Sequence, residues 1–155
     1  MMAGSHVVAG AALWAVTAKL AGGPPADPQA LALAALGALL PDIDHPQSWA
    51  GRKLKPISVP LAFMVGHRGV THSLLAVLGG IAALVMLGFD GWAAPLVIGY
   101  LSHLAADALT PSGVPLLWPW KQRFGIGLCP TGGLMEWLVV AAFAAATAWL
   151  ELQMN

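Results

Sequence analysis

The chain has 155 residues, of which 58% are hydrophobic and only 9% are charged, against roughly 25% charged residues in an average soluble domain. Seven basic and seven acidic side chains cannot cover the surface of a soluble protein, so we expect one membrane-embedded domain over residues 1–155. The net charge is zero, without a basic run, which argues against nucleic-acid binding. One cysteine, Cys129, excludes an intrachain disulfide and a multi-cysteine zinc site, and we expect it to be inert.

Five apolar stretches predict the helices of the fold, because continuous apolar runs favour α-helices over barrel strands, which would alternate. They cover residues 6–21, 29–40, 73–89, 92–109 and 134–150. A signal peptide is the competing interpretation of the first stretch, but no basic residue precedes Lys19, so we expect an uncleaved segment. The second stretch is short for a full span, and a re-entrant or buried helix is the alternative.

The segments between these stretches differ in character. Residues 45–71 are the least apolar region, and within them 57–65 predict a short helix that lies on the membrane or enters it. Residues 110–132 contain four prolines and predict a loop. If each apolar stretch crosses the membrane or reverses the chain, these two regions and the N-terminus lie on one side.

The basic residues predict an orientation. Six of them fall on the side of those two loops and one, Lys19, on the other. The six are Arg52, Lys53, Lys55, Arg68, Lys121 and Arg123. This asymmetry predicts a multi-pass inner-membrane protein whose loop side faces the cytoplasm.

Residues that can bind metal ions fall on that same predicted side. They are His6, Asp42, Asp44, His67, His72, His103 and Asp107. His103 and Asp107 are four residues apart, so both lie on one helical face and can bind one ion. On an extended backbone, Asp42 and Asp44 would face one way. Three carboxylates and four histidines are too many for one tetrahedral zinc and suit two ions that share a bridging carboxylate and a water.

Each candidate also has a structural interpretation. An intramembrane His or Asp can bond a neighbouring helix, Asp42 and Asp44 can form a turn at a helix end, and His67 and His72 can lie in a solvated loop. Glu136 and His45 stay open as further ligands. A glutamate at the position of Glu136 more often complements the dipole of a helix N-terminus with its charge. The sequence predicts an all-α membrane bundle of four to five transmembrane or re-entrant helices, with the metal site at one face.

Three motifs in order carry a family resemblance that spans most of the chain, from His6 to residues 117–119. The motifs are LPDIDH at 40–45, HRGVTHS at 67–73 and HLAADALTPSGV at 103–114. The chain resembles the YdjM-like family of membrane-bound metal-dependent hydrolases, which is grouped with zinc-dependent phospholipase C and S1/P1 nucleases. The resemblance implies a metal-dependent phosphoesterase. Those soluble relatives also use their amino-terminal residue as a ligand, for which His6 is the nearest candidate here.

The expected activity is therefore hydrolysis of a phosphoester by water activated between two metal ions. Asp42 or Asp44 bridges the ions or acts as the base, and Arg68 neutralises charge on the phosphoryl group. Thr71, Ser73 and Thr110 orient ligands. A site at headgroup depth favours a phospholipid or other lipid phosphate, although a nucleotide from the cytoplasm stays open.

Other functions remain as alternatives. A metal-ion transporter or sensor would also bury His and Asp residues, but it would need polar groups in the far half of each helix. A structural metal that joins short helices is a third interpretation. Mixed His and Asp ligands suit two Zn²⁺ ions, with Mn²⁺ or Fe²⁺ as alternatives. We also expect contact with membrane lipids, and so small a bundle could form a homo-oligomer.

Overall fold

The computed structural model describes residues 1–65 and 69–153. Over these residues the chain is helical, with seven α-helices and no extended strand. The helices are α1 (Ala3–Leu20), α2 (Pro28–Gly37), α3 (Trp49–Lys53), α4 (Lys55–Val65), α5 (Leu74–Met86), α6 (Asp90–Ala108) and α7 (Leu134–Gln153). Two short 3₁₀ turns, Pro41–Asp44 and Val70–His72, precede α3 and α5.

All five apolar stretches form helices, which confirms the all-α prediction. The helix expected over residues 57–65 is also present, as part of α4. Within the described residues, none of the helices combines the length and the apolar character that a membrane crossing requires.

Helix α6 lies at the centre of the fold, in contact with α1, α2 and α5. Glycines allow the closest of these contacts. A Cβ atom added at Gly99 would lie 1.9 Å from the carbonyl oxygen of Ala34, and one added at Gly37 would lie 2.1 Å from that of Leu96. Only residues without a Cβ permit such an approach, so α2 and α6 meet backbone to backbone, as is common between membrane helices.

The loop predicted at residues 110–132 is confirmed and packs back on the helices. Val114 and Phe124 pair through an isolated antiparallel bridge. The backbone N–H groups of Ile126 and Cys129 donate to the carbonyl oxygens of Ala108 and Leu109, at 2.9 and 3.0 Å. The loop therefore covers the C-terminal end of α6.

Candidate metal centre

Five of the predicted ligands lie together at the C-terminal half of α6. They form two overlapping groups, His6 with His103 and Asp107, and Asp42 with His72 and His103, and the ligand atoms within each group lie within 4.8 Å of one another. His103 belongs to both groups. The five side chains come from α1, the two 3₁₀ turns and α6, so the cluster forms only in the folded chain.

Helix α6 contributes the predicted pair one turn apart, His103 and Asp107. His103 Nε2 lies 3.8 Å from Asp107 Oδ2. On the other side of the ring, Nδ1 of His103 donates to the carbonyl oxygen of Ala38 at 2.7 Å. Ala38 directly follows α2, where carbonyl oxygens have no partner within the helix. A proton on Nδ1 leaves the lone pair on Nε2, the nitrogen that faces the cluster.

His6 is the fourth residue of α1 and is buried. Its ring stacks on that of His103, with centroids 3.7 Å apart and planes at 12°, and its Nε2 lies 3.4 Å from Asp107 Oδ1. Among the described residues, neither ring nitrogen of His6 has a hydrogen-bond partner, and the same holds for Nε2 of His103. An unsatisfied buried nitrogen costs about 1–3 kcal/mol, and a metal ion would remove that cost.

Asp42 and His72 complete the second group. Asp42 Oδ1 lies 3.8 Å from Nε2 of His72 and 3.8 Å from Nε2 of His103. These separations exceed hydrogen-bond length, but they are close to the roughly 3.4 Å that separates two ligands of one tetrahedral ion with bonds near 2.0–2.1 Å. Asp42 is 18% exposed, whereas His72 and His103 are fully buried. Asp42 therefore marks the side from which a small molecule can approach.

Asp44 lies in a different place from Asp42. The expectation of an extended backbone is wrong here, because residues 41–44 form a 3₁₀ turn. With about three residues per turn, side chains two positions apart point roughly 120° away from each other. Asp44 is buried, accepts a hydrogen bond from the Thr71 hydroxyl, and places Oδ2 3.4 Å from Nδ1 of His72. It thus lies on the far side of the His72 ring and is in neither ligand group of the described residues.

The two other predicted site residues, His67 and Arg68, lie outside the described residues. The three residues expected to orient ligands have separate contacts. The Thr71 hydroxyl lies 3.2 Å from Nδ1 of His72, Thr110 donates to the carbonyl oxygen of Asp107 at 2.7 Å, and Ser73 caps the start of α5. Tyr100, which lies outside the sequence motifs, donates from its hydroxyl to the Thr71 carbonyl oxygen.

The amino terminus reaches the cluster, a contact that spacing along the chain does not reveal. The Met1 ammonium donates to Asp107 Oδ1 at 2.5 Å, and both groups are buried. Glu136, left open as a ligand, is fully buried and accepts from the Met2 N–H at 2.7 Å, the Ser5 hydroxyl at 2.5 Å and the Gly132 N–H at 2.7 Å. It connects the start of α1 to α7 and the preceding loop.

Glu136 and His45 belong to neither ligand group of the described residues. Glu136 therefore positions the part of α1 that carries His6, rather than contributing an oxygen to the cluster.

The described residues thus form an all-helical protein with a cluster of histidines and aspartates at one end of its central helix. The family model for the YdjM inner membrane protein matches residues 1–154, so the chain belongs to the YdjM inner membrane protein family. The family name and the name of the YdjM relatives below support membrane localisation.

Curated relatives agree with this assignment. The inner membrane protein YdjM of Escherichia coli (strain K12) and that of Shigella flexneri are each 46% identical over 125 residues, covering 76% of this chain and 64% of the relative. The match thus covers less than two thirds of the length of these relatives. The uncharacterized protein YvsG of Bacillus subtilis (strain 168) is 40% identical over 119 residues, covering 74% of this chain and 73% of the relative. No solved structure matches the chain.

Proposed function

We propose that this protein is a membrane-bound metal-dependent hydrolase that acts on phosphoesters, with lipid phosphates as the natural substrate class. One observation carries the proposal. Two overlapping groups of ligands, all of them buried except Asp42, share His103, and both nitrogens of His6 and Nε2 of His103 lack hydrogen-bond partners among the described residues. Buried polar atoms normally have partners, and a divalent ion would supply one.

The donor set fits two divalent ions. Nε2 of His103 has one lone pair and can bind one ion, whereas Asp107 faces His6 through Oδ1, at 3.4 Å, and His72 and His103 through Oδ2, at 3.9 and 3.8 Å. His6 and Asp107 would hold one ion, and Asp42, His72 and His103 the other, to which Asp107 would also contribute. Imidazole and carboxylate donors suit Zn²⁺, with Mn²⁺ and Fe²⁺ as alternatives. Such ions supply Lewis-acid stabilisation of a phosphoester and an activated water.

Residues of the chain have separate tasks in this proposal. Asp42 is the ligand on the accessible side and is our candidate for the general base. Asp44 orients His72 from behind, as carboxylates commonly do for metal-binding histidines. Arg68 keeps its proposed task of neutralising phosphoryl charge, on the basis of its place in the sequence.

The membrane supports the choice of a lipid phosphate. The family is named for the inner membrane, and α4 exposes large apolar side chains beside a basic segment. Phe63 is 92% exposed and Met64 79%, while Arg52, Lys53 and Lys55 are exposed. Apolar and basic groups side by side suit an anionic membrane surface. We propose a multi-pass arrangement with this face toward the cytoplasm.

The test is metal content combined with turnover. Detergent-purified protein, never exposed to chelator, is analysed for bound metals, and its hydrolysis of phospholipids and soluble phosphoesters is then measured. We expect about two ions per chain and metal-dependent release of phosphate or of a phosphorylated headgroup. The double variant His103→Ala with Asp107→Ala should lose both. Asp90→Ala, an exposed position at the start of the same helix, is the matched control.

The outcomes separate the alternatives. Protein without bound metal would refute the two-metal mechanism. Bound metal without turnover of any phosphoester would contradict the hydrolase and favour metal binding or transport.

A further inference from the structure

A second feature of the fold lies beside the metal centre, an apolar groove of about 310 Å³ between α1, α6 and α7. Six residues form most of it: Met1, Ala9, Leu13, Ala105, Leu109 and Phe143. Ala105 and Phe143 are exposed, so the groove is open along one side. Among the described residues that line it, Ser102 alone carries a polar side chain, and its hydroxyl donates to the Gly99 carbonyl oxygen at 2.7 Å.

The groove and the metal centre are adjacent on the same helix. The α6 residues that line the groove recur every three or four positions and form one stripe: Ser102, Ala105, Ala106 and Leu109. His103 and Asp107 each follow one residue after a member of this stripe, about 100° around the helix. Met1 joins the two features, because its side chain lines the groove while its amino group contacts Asp107.

We infer that this groove binds the acyl chain of a lipid whose phosphate lies at the metal centre. The inference rests on the proposed function and adds the subsite that would select a lipid over a soluble phosphoester. A molecule with its anionic head at Asp107 and His103 would place its tail along the neighbouring stripe of α6. The groove lining carries no charged side chain, so it suits a hydrocarbon tail and not the head.

The size of the groove favours an acyl chain over a helix of a partner protein. A helix about 10 Å wide occupies roughly 420 Å³ for each turn of 5.4 Å, which is more than the groove contains. A volume of about 310 Å³ lies at the lower end of the range for small-molecule sites, roughly 300–1,000 Å³. One hydrocarbon chain is the occupant that matches both the volume and the apolar lining.

The experiment measures binding of alkyl phosphonates, which cannot be hydrolysed, to Zn²⁺-loaded protein held in amphipol. Methyl, butyl and octyl phosphonate differ only in the tail. Each methylene buried should raise the affinity about fourfold, so affinity should increase with tail length. Ala105→Phe fills the groove from α6 and should remove this dependence on tail length. Ala9→Phe, from the opposite wall, should act in the same way.

The matched control is Ala94→Phe, because Ala94 is also an exposed alanine of α6 but lines a different cavity. Partition of the longer phosphonates into amphipol affects all variants equally and cancels in this comparison. A chain-length dependence that Ala105→Phe and Ala9→Phe leave intact would overturn the groove assignment. Equal affinity for methyl and octyl phosphonate would overturn it as well, with the metal centre still supported. If no phosphonate binds, the proposed function and the groove both fail.

Discussion

The sharpest consequence of the structure is that Asp107 faces ligands of both groups, His6 through Oδ1 and His103 through Oδ2, while His6 belongs to one group. Asp107→Ala should therefore impair both groups, because each of the two proposed ions would lose a carboxylate oxygen. His6→Ala should impair the first group and leave the second intact. The expected metal content falls from about two ions per chain to none in the first variant and to one in the second.

The expected loss of metal affinity follows from the number of ligands that each variant removes. Removal of an outer partner of a metal ligand already lowers metal affinity about 10–100-fold, or roughly 1.4–2.8 kcal/mol. Removal of a direct ligand should exceed this range. At a buffered Zn²⁺ concentration about tenfold above the wild-type dissociation constant, an impaired group should be largely empty and an intact group nearly full.

The assay is equilibrium dialysis against chelator-buffered Zn²⁺, followed by elemental analysis of the protein. Helical content by circular dichroism shows whether each variant is folded, and Asp90→Ala controls for a change on α6 outside the centre. One ion retained by Asp107→Ala, or two ions lost by His6→Ala, would refute the assignment of Asp107 as the shared ligand.

Three further predictions address the residues around the centre. Asp44→Asn should weaken Zn²⁺ binding about 10–100-fold, because it removes the charge behind His72; competition with a fluorescent chelator measures this, and unchanged affinity would contradict the orienting role. Glu136→Gln should lower the free energy of unfolding by about 1–3 kcal/mol, since one amide oxygen cannot replace both carboxylate oxygens that accept hydrogen bonds. Denaturation of variant and wild type in the same detergent measures this, and equal stability would argue against the connection of α1 to α7. Gly99→Ala should lower the free energy of unfolding by about 1–3 kcal/mol, because its Cβ would overlap the Ala34 carbonyl oxygen. Gly79→Ala has open space and should be neutral or stabilising, so equal effects of the two variants in the same denaturation experiment would refute the close contact of α2 and α6.

The sequence alone predicted the helices well, because continuous apolar runs exceed the length of buried strands. The short helix α3 (Trp49–Lys53) was not predicted, and the other differences lie at the helix ends. The helix expected from His6 begins at Ala3, and the one expected to end at residue 150 ends at Gln153. Polar residues at the margins of an apolar run can continue a helix without changing its apolar character, so hydropathy does not locate the ends.

The sequence predicted which residues belong to the candidate site better than it predicted how they are arranged. The i, i+4 spacing of His103 and Asp107 requires only a helix. The different positions of Asp42 and Asp44 depend on whether residues 41–44 form a turn or a strand, and local sequence does not decide this. The contacts of Glu136 and of the Met1 amino group join positions more than 100 residues apart, and no local pattern specifies such pairs.

The close contact of α2 with α6 and the orientation of His103 are parts of one arrangement. Gly37 directly precedes Ala38, whose carbonyl oxygen accepts from His103 Nδ1, and Gly99 lies one turn before His103. Without both glycines the helix backbones would be held further apart, and the bond of 2.7 Å would lengthen. The proton on Nδ1 would then lose its partner, and with it the preference that leaves Nε2 free for a metal ion. In the proposed site, the small residues of α2 and α6 would therefore hold His103 in its orientation as well as allow the helices to pack.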